Sequence, residues 1–287
     1  MRQASKMTRT SVRYSVLMSV YRCETPAFFV QSAESMFAQT LPPDELVLVV
    51  DGPVGPELDR EIERLCSRFP VRPIRLEQHV GLAAALNAGL AACQYEFVAR
   101  MDSDDWAVPT RMACQLDLMQ RTGAEIVSAQ ICEFIKTPGD LERVRRVPLT
   151  EAEIRKTVRR RNPFNHPAVV YRKSTVLALG GYRDYPGFED YELFARAVAA
   201  GVSCANAEEI LLYMRVGAGL YCRRGGRAYI RQLHRFYRHM RALSLVGIGS
   251  FWRCELPRIM VALLPDWARA AVYRRLLRTS EQKEKRP

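Results

Sequence analysis

Apolar and polar positions alternate between two periods along the first hundred residues. Residues 15–20 form a short β-like run. After it, Phe29, Ala33, Met36 and Phe37 recur at i, i+4, i+7 and i+8, the spacing of one helical face. Pro42-Pro43 ends that helix, and 46–50 is an unbroken apolar run of the kind buried on both sides in a parallel sheet. Pro56 opens a second helix, with Leu58, Ile62 and Leu65 inward and charged residues between them outward. Residues 71–76 predict a third strand, 82–92 a third helix and 97–101 a fourth strand. Four strand–helix units in sequence predict a parallel sheet covered by helices on both faces.

The rhythm then loosens. A helix is expected from near Pro109 to about residue 121, a strand at 125–130 and a helix with a solvated basic face at 155–161. The loop-like pairs Asn162-Pro163 and Gly180-Gly181 enclose a short helix. Residues 189–200 read as helix ending at Gly201, and 210–216 as strand. Beyond Gly217 lie Arg-rich helices, with breaks expected at Gly247, Gly249, Pro257 and Pro265. There are no internal repeats.

Composition places this pattern in an ordinary globular protein: of 287 residues, 48% are hydrophobic and 26% charged, which excludes disordered and low-complexity classes. The eight cysteines are scattered, with no CxxC pair, and read as reduced thiols of a cytosolic protein. No apolar stretch approaches the roughly 20 residues a bilayer requires. The run at 16–18 stops too soon, at Arg22, for a signal peptide.

Charge is distributed unevenly. Residues 1–220 carry 27 basic and 27 acidic side chains, whereas 221–287 carry 16 basic and 4 acidic, so the whole formal charge of +12 lies in the last segment. The expected organisation is a neutral α/β domain at 1–220 and a basic amphipathic helical region at 221–287. Such an appendage suits an anionic surface, either membrane or nucleic acid. No nucleic-acid reader motif is present, which favours the membrane.

The strongest local signal is Asp102-Ser103-Asp104-Asp105, directly after the fourth strand, where ligands of open α/β sheets bind. Crowded carboxylates repel unless a cation neutralises them, and hard oxygen ligands suit Mg²⁺ or Mn²⁺. The bland alternative is a solvated acidic turn capping the next helix. A second pair, Glu189-Asp190, follows Pro186-Gly187-Phe188, where a capping role competes with a chemical one. Asp51-Gly52-Pro53 and Ser19-Val20-Tyr21 end the second and first strands. There is no GxGxxG, Walker A, HExxH or GxSxG, and Trp106-Ala107 excludes a calcium-binding EF-hand loop.

Taken together, SVLMSVYRCETP, ELVLVVDGP, GLAAALNAGLAACQYEFVARMDSDDW and NHPAVVYRKSTVLALGGYRDYPGFEDYELFARA resemble, in that order and over residues 14–216, the family 2 glycosyltransferases. The likeness is strongest to bacterial enzymes of exopolysaccharide, capsule and O-antigen assembly, the amylovoran-biosynthesis type. The resemblance implies a GT-A fold and inverting, metal-dependent transfer from a nucleotide-sugar donor, a UDP-sugar, to a lipid-linked or oligosaccharide acceptor. It implies that Ser19 and Tyr21 line the uracil pocket and that Asp51 contacts the base. Asp102 and Asp104 match the DxD motif, with Asp104 the direct metal ligand and Asp102 toward the ribose or sugar. Asp190, with Glu189 beside it, matches the general base. Pro53 replaces the usual Ser, and Cys23 and His79 stand where Asn is common.

Arg100, before the acidic loop, is a candidate to hold a phosphate or to pair with neighbouring acids, and Arg223-Arg224 to reach the diphosphate. His166 falls in a segment the family places near the acceptor, though a structural histidine is the simpler reading. His234 and His239 are expected at the surface of a basic helix. The competing functions are a sugar-nucleotidyltransferase, which lacks its Gly-rich loop here, and a nucleic-acid binder using the basic tail. The favoured location is the cytoplasm, peripheral on the inner face of the cell membrane.

Overall fold

A computed structural model of the chain describes residues 12–141, 143–217 and 225–265, together with 268 and 272. The first half is laid down as the periodicity predicts: β1 (Tyr14–Val20), α1 (Pro26–Phe37), β2 (Glu45–Val50), α2 (Pro56–Arg68), β3 (Val71–Arg75), α3 (Leu82–Ala92) and β4 (Phe97–Asp102). Strand alternation divides the core between the two faces of the sheet. Leu17, Val47, Val49 and Val98 face one side with Leu86 and Leu90 of α3. Val16, Met18, Leu46, Leu48, Ala99 and Met101 face the other with Phe29 and Met36 of α1.

The second half contributes β5 (Trp106–Ala107), α4 (Arg111–Thr122), β6 (Ile126–Phe134), β7 (Arg143–Arg145), α5 (Glu151–Thr157), β8 (Val170–Arg172), α6 (Lys173–Ala178), α7 (Glu189–Ala199) and β9 (Cys204–Arg215). The strand order is β3-β2-β1-β4-β8-β6-β9-β5, with β7 paired to β6. The sheet is therefore mixed rather than parallel throughout. β8 is antiparallel to both β4 and β6, while β6 and β9 run parallel. A short return after the 3-10 turn His166–Ala168 delivers β8, and an antiparallel partner needs no helical crossover.

Other departures have local causes. α5 starts at Glu151 because Thr150 and Glu153 form a reciprocal capping box, and it stops at Thr157, so Arg159, Arg160 and Arg161 follow the helix rather than line it. β9 begins six residues before the expected strand, where polar Asn206, Glu208 and Glu209 hide the apolar run and the pairing with β6 shifts register. None of the described cysteines forms a disulfide.

The basic C-terminal region contains α8 (Gly226–Ala242), a π-helical turn Phe251–Glu255 and α9 (Leu256–Ala262). Pro257 stands in the first turn of α9, where its missing N–H costs no helical bond, so it does not break the helix as expected. α8 buries Leu233, Phe236, Tyr237 and Met240 in the same core cluster as α7. Phe236 stacks on Phe188, with centroids 5.0 Å apart, and tilts against Tyr191 at 4.6 Å. His239, expected at the surface, instead lies 2.9 Å from buried Glu192, which also holds Arg196. The expected division at 220 is thus not a break in the core. Phe236→Ala should lower unfolding free energy by about 3–5 kcal/mol in a denaturant titration, because it empties an aromatic cluster rather than a surface. An unchanged midpoint would show that α8 contributes nothing to that core.

Among the described residues, no helix is long and apolar enough to cross a membrane.

Candidate active site

The carboxyl ends of three neighbouring strands bring the predicted residues together. Ser19 of β1 is in register with Val49 of β2 and with Asp102 of β4, and Asp51 follows β2 directly. Ser19, Tyr21, Asp51 and the acidic loop therefore share one edge of the sheet, as parallel pairing requires.

On the β2 side, Asp51 is almost fully buried. One carboxylate oxygen accepts from the Val80 N–H at 2.7 Å, and the other from the Gly81 N–H at 3.1 Å. His79 Nδ1 lies 2.8 Å from the same carboxylate. Gly52 makes the turn possible: its φ is 83°, and a Cβ there would lie 2.6 Å from the His79 backbone nitrogen. Asp51 thus fastens the 79–81 segment at the foot of α3. Its reward is a slab at the site edge, where Tyr21 stacks on His79 at 5.7 Å with an interplanar angle of 25°. His79, which stands where Asn is common in the family, is thus the partner of both Asp51 and Tyr21.

On the β4 side, the three carboxylates of the acidic loop divide their tasks. Asp105 is buried, and its Oδ1 accepts from the Arg215 N–H at 2.8 Å. Arg215 Nε donates to the Asp104 carbonyl at 3.0 Å, and its guanidinium lies over the rings of Phe28 (3.7 Å) and Phe134 (4.4 Å). This pair anchors the loop from β9, a contact no local motif announces. Ser103 donates its hydroxyl to Glu24, and the Ser32 hydroxyl donates to the Asp102 carbonyl at 2.7 Å.

The carboxylate side chains of Asp102 and Asp104 take no part in these anchoring bonds. The Asp102 side chain is 39% exposed and sits 2.5 Å from Arg100 Nη2. Burial pushes the Asp104 carboxyl up to about 6, with further contributions from the negative charges of Asp102 and Glu24. Asp104 is half-buried rather than solvent-facing, which makes its charge more costly. Among the described residues no three His, Cys, Asp or Glu side chains converge as a closed metal cage. The two neighbouring carboxylates fit a Mg²⁺ or Mn²⁺ ion, which would draw further oxygen ligands from a diphosphate and water.

Glu189 and Asp190 open α7. Asp190 Oδ2 accepts from Asn162 Nδ2 at 2.8 Å, and Oδ1 accepts from the Tyr191 N–H at 2.7 Å. Burial raises both carboxyls above the usual range; for Asp190, the Tyr191 N–H, Arg145, Arg100 and Asn162 act in the opposite direction. A carboxylate poised this way accepts a proton more readily than a solvated one.

Behind these groups is a polar layer that pattern reading only touched. Asn87 of α3 donates to the Tyr182 carbonyl at 2.7 Å and accepts from its N–H at 2.8 Å. His166 Nε2 is 3.1 Å from the Tyr182 hydroxyl. His166 is buried and held neutral by burial, with Arg100 adding to the effect, so it stands behind the site as a structural histidine. Arg223 and Arg224 lie outside the described residues.

The chain is similar to known proteins in both sequence and fold. The family model described as "Glycosyl transferase family 2" matches residues 15–178. The UDP-Gal:alpha-D-GlcNAc-diphosphoundecaprenol beta-1,3-galactosyltransferase of Escherichia coli is 34% identical over 95% of this chain and 99% of its own. The amylovoran biosynthesis glycosyltransferase AmsE of Erwinia amylovora is 38% identical over 88% of this chain and 94% of its own. Among solved structures, a mannosyltransferase of Pyrobaculum calidifontis in complex with GDP-Man and Mn²⁺ superposes with a TM-score of 0.62. It is 16% identical, over 94% of this chain and 83% of that one.

Proposed function

The chain belongs to glycosyltransferase family 2, and from that premise we propose that it moves a sugar from a UDP-sugar to a lipid-linked glycan acceptor, inverting the anomeric centre, in surface polysaccharide assembly. The observation that carries this reading is the division of acids at one sheet edge. Asp102, paired on one oxygen with Arg100, and half-buried Asp104 face a cation together, while Asp190, on a different element, is held by Asn162 as a proton acceptor. The Tyr21–His79 slab, braced by Asp51, offers a flat face for the nucleotide base, and Ser19 lies at the strand end beside it.

Asp104 would hold a Mg²⁺ or Mn²⁺ ion, with Asp102 beside it facing the ribose or sugar. Bound there, the ion stabilises negative charge on the departing diphosphate. Asp190 takes the proton from the acceptor hydroxyl as the new bond forms, and Glu189 flanks it at the helix start. Attack from the side opposite the leaving group inverts configuration. The lipid-linked acceptor is supported by the name of the Escherichia coli relative. A donor-hydrolysis screen across nucleotide sugars, with and without Mn²⁺, tests the reading. Turnover of no nucleotide sugar under either condition would overturn it.

With a lipid-linked acceptor and a nucleotide-sugar donor, the enzyme would work peripherally at the inner face of the membrane. Ile248, Trp252, Met260 and Leu263 are exposed in the C-terminal region. Met260 and Leu263 stand three residues apart at the end of α9, and Trp252 lies in the π-helical turn that leads into it. Next to α9 are exposed Arg159, Arg160 and Arg161, reached through Arg258 Nη2, which donates to the Arg160 carbonyl at 2.7 Å. Apolar side chains rimmed by arginine suit an anionic interface. Full-length protein should sediment with vesicles containing phosphatidylglycerol, and less so as salt rises. Trp252→Ser with Leu263→Ser should reduce sedimentation while leaving donor hydrolysis intact. Equal binding to neutral and anionic vesicles would remove the electrostatic part of this reading.

A further inference from the structure

β4 carries an arginine where its neighbours call for an apolar residue. Val98, Arg100 and Asp102 point to one side of the strand, and Val98 packs there with Tyr171, Tyr182, Phe164 and Phe194. Arg100 lies in that layer with only 2% of its surface exposed. Its Nη2 meets Asp102 Oδ1 at 2.5 Å, while Nε and Nη1 are shielded from solvent and have no hydrogen-bond partner.

A second buried arginine shows what a purely structural guanidinium does here. Arg111 donates from Nε to Gln115 Oε1 at 3.0 Å and from Nη2 to the Arg100 carbonyl at 2.7 Å, and its Nη1 faces the Met101 sulfur at 3.1 Å. Every arm of that group is occupied. Arg100 is buried as deeply and spends a single arm, on a half-exposed carboxylate at the edge of the site. Burying a charge against so little compensation is costly for stability. Its position, however, sets its charge within reach of both acid groups: it acts on Asp102 and Asp105 from below the acidic loop, and on Asp190 across the layer.

We infer that Arg100 is a positioning residue of the transfer reaction, whose buried guanidinium holds Asp102 in place and balances the charge shared by the acidic loop and Asp190. This rests on the reading of Asp102 and Asp104 as the cation site and Asp190 as the base. Two effects of opposite sign follow. Arg100 and a divalent ion compete for the same cluster of negative charge, so removing the guanidinium strengthens cation binding. Removing it also releases Asp102 from its fixed orientation and strips Asp190 of a favourable positive charge, so turnover falls. A residue that merely filled space would show neither pairing, because its loss would weaken binding and turnover together with stability.

The test compares Arg100→Met, which suits the apolar layer, with Arg100→Lys, which keeps the charge but loses the planar fork. Mn²⁺ binding is titrated directly by electron paramagnetic resonance, with and without UDP, alongside thermal melting and kcat and KM for the donor. Arg100→Met is expected to bind Mn²⁺ roughly three- to tenfold more tightly and to lose about 10- to 100-fold in kcat, with donor KM little changed and melting temperature equal or higher. Arg100→Lys should bind Mn²⁺ within about twofold of wild type and retain the larger share of kcat. Weaker or unchanged Mn²⁺ binding by Arg100→Met, or wild-type kcat in it, overturns the inference. Should Arg100→Met fail to fold, a lysine variant with tightened Mn²⁺ binding would overturn it equally, since the charge is still present. If wild type turned over no nucleotide sugar, the functional reading would fail by itself, while the Mn²⁺ titration would still report on Arg100 and Asp102.

Discussion

Replacing Asp190 with asparagine is expected to lower turnover by roughly 10²–10⁴-fold, the usual worth of a positioned general base. UDP binding should be unaffected, because Asp190 opens α7, whereas the slab is made by Tyr21 after β1 and His79 before α3. The amide fills the same volume and can still accept from the Tyr191 N–H, so the start of α7 should hold its shape. What it loses is the ability to take a proton, together with the bond from Asn162 Nδ2, which no longer meets an acceptor. The pH dependence separates this from a packing defect. Burial raises the Asp190 carboxyl above the ordinary aspartate range, and only its ionised form acts as a base. Wild-type kcat should therefore fall as pH drops through that raised value, and the residual activity of Asp190→Asn should lack that limb. Glu189→Gln is the comparison. If it proves the more damaging of the two, the base is Glu189 and the roles within the pair are exchanged.

The sheet edge was legible because its signals are local. Continuous apolar strands, helix-opening prolines and an acidic run directly after a strand place Ser19, Asp51 and Asp102 at adjacent strand ends, and the observed register joins them. The anchors of that edge were not legible, because their partners are far apart in the chain. Arg215 reaches Asp105 across 110 positions, and Asn87 reaches Tyr182 across 95. No periodicity carries such a pairing. Nor did spacing show that Asp105 differs from Asp102 and Asp104: three carboxylates in four residues look equivalent until burial and the Arg215 N–H set Asp105 apart as an anchor. A different lesson comes from Thr150 and Glu153. Their capping box was present in the sequence, and reading it would have started α5 at Glu151 instead of inside the following basic stretch. The arginine content of α8 suggested a solvated appendage, yet Leu233, Phe236, Tyr237 and Met240 form an inward face at helical spacing. Net charge describes the outer surface of such a helix and says little about what its other side covers.

Asp104→Ala is expected to abolish metal-dependent UDP binding and, with it, sugar transfer, while leaving the apo protein at least as stable as wild type. Both halves follow from the same crowding. The Asp104 carboxyl titrates near 6 because it is half-buried beside Asp102 and Glu24, well above its value in an unfolded chain. Between those two values the folded state binds more protons than the unfolded state, so stability declines as pH rises through that window. Alanine removes the titrating group, and the variant's melting temperature without metal should decline less over that range. A divalent ion reverses the balance in wild type by supplying the positive charge the cluster lacks, at the expense of a proton. Mn²⁺ should therefore raise the melting temperature of wild type, more strongly at pH 7.5 than at pH 5.5, and should do little for Asp104→Ala. The fold should survive the substitution, because Asp105, held by the Arg215 backbone N–H, and Ser103, held by Glu24, keep the loop in place without the Asp104 side chain. Calorimetric titration of UDP with and without Mn²⁺ reads the binding half directly. Wild-type activity in Asp104→Ala, or an undiminished Mn²⁺ requirement for UDP binding, would move the metal site away from this residue.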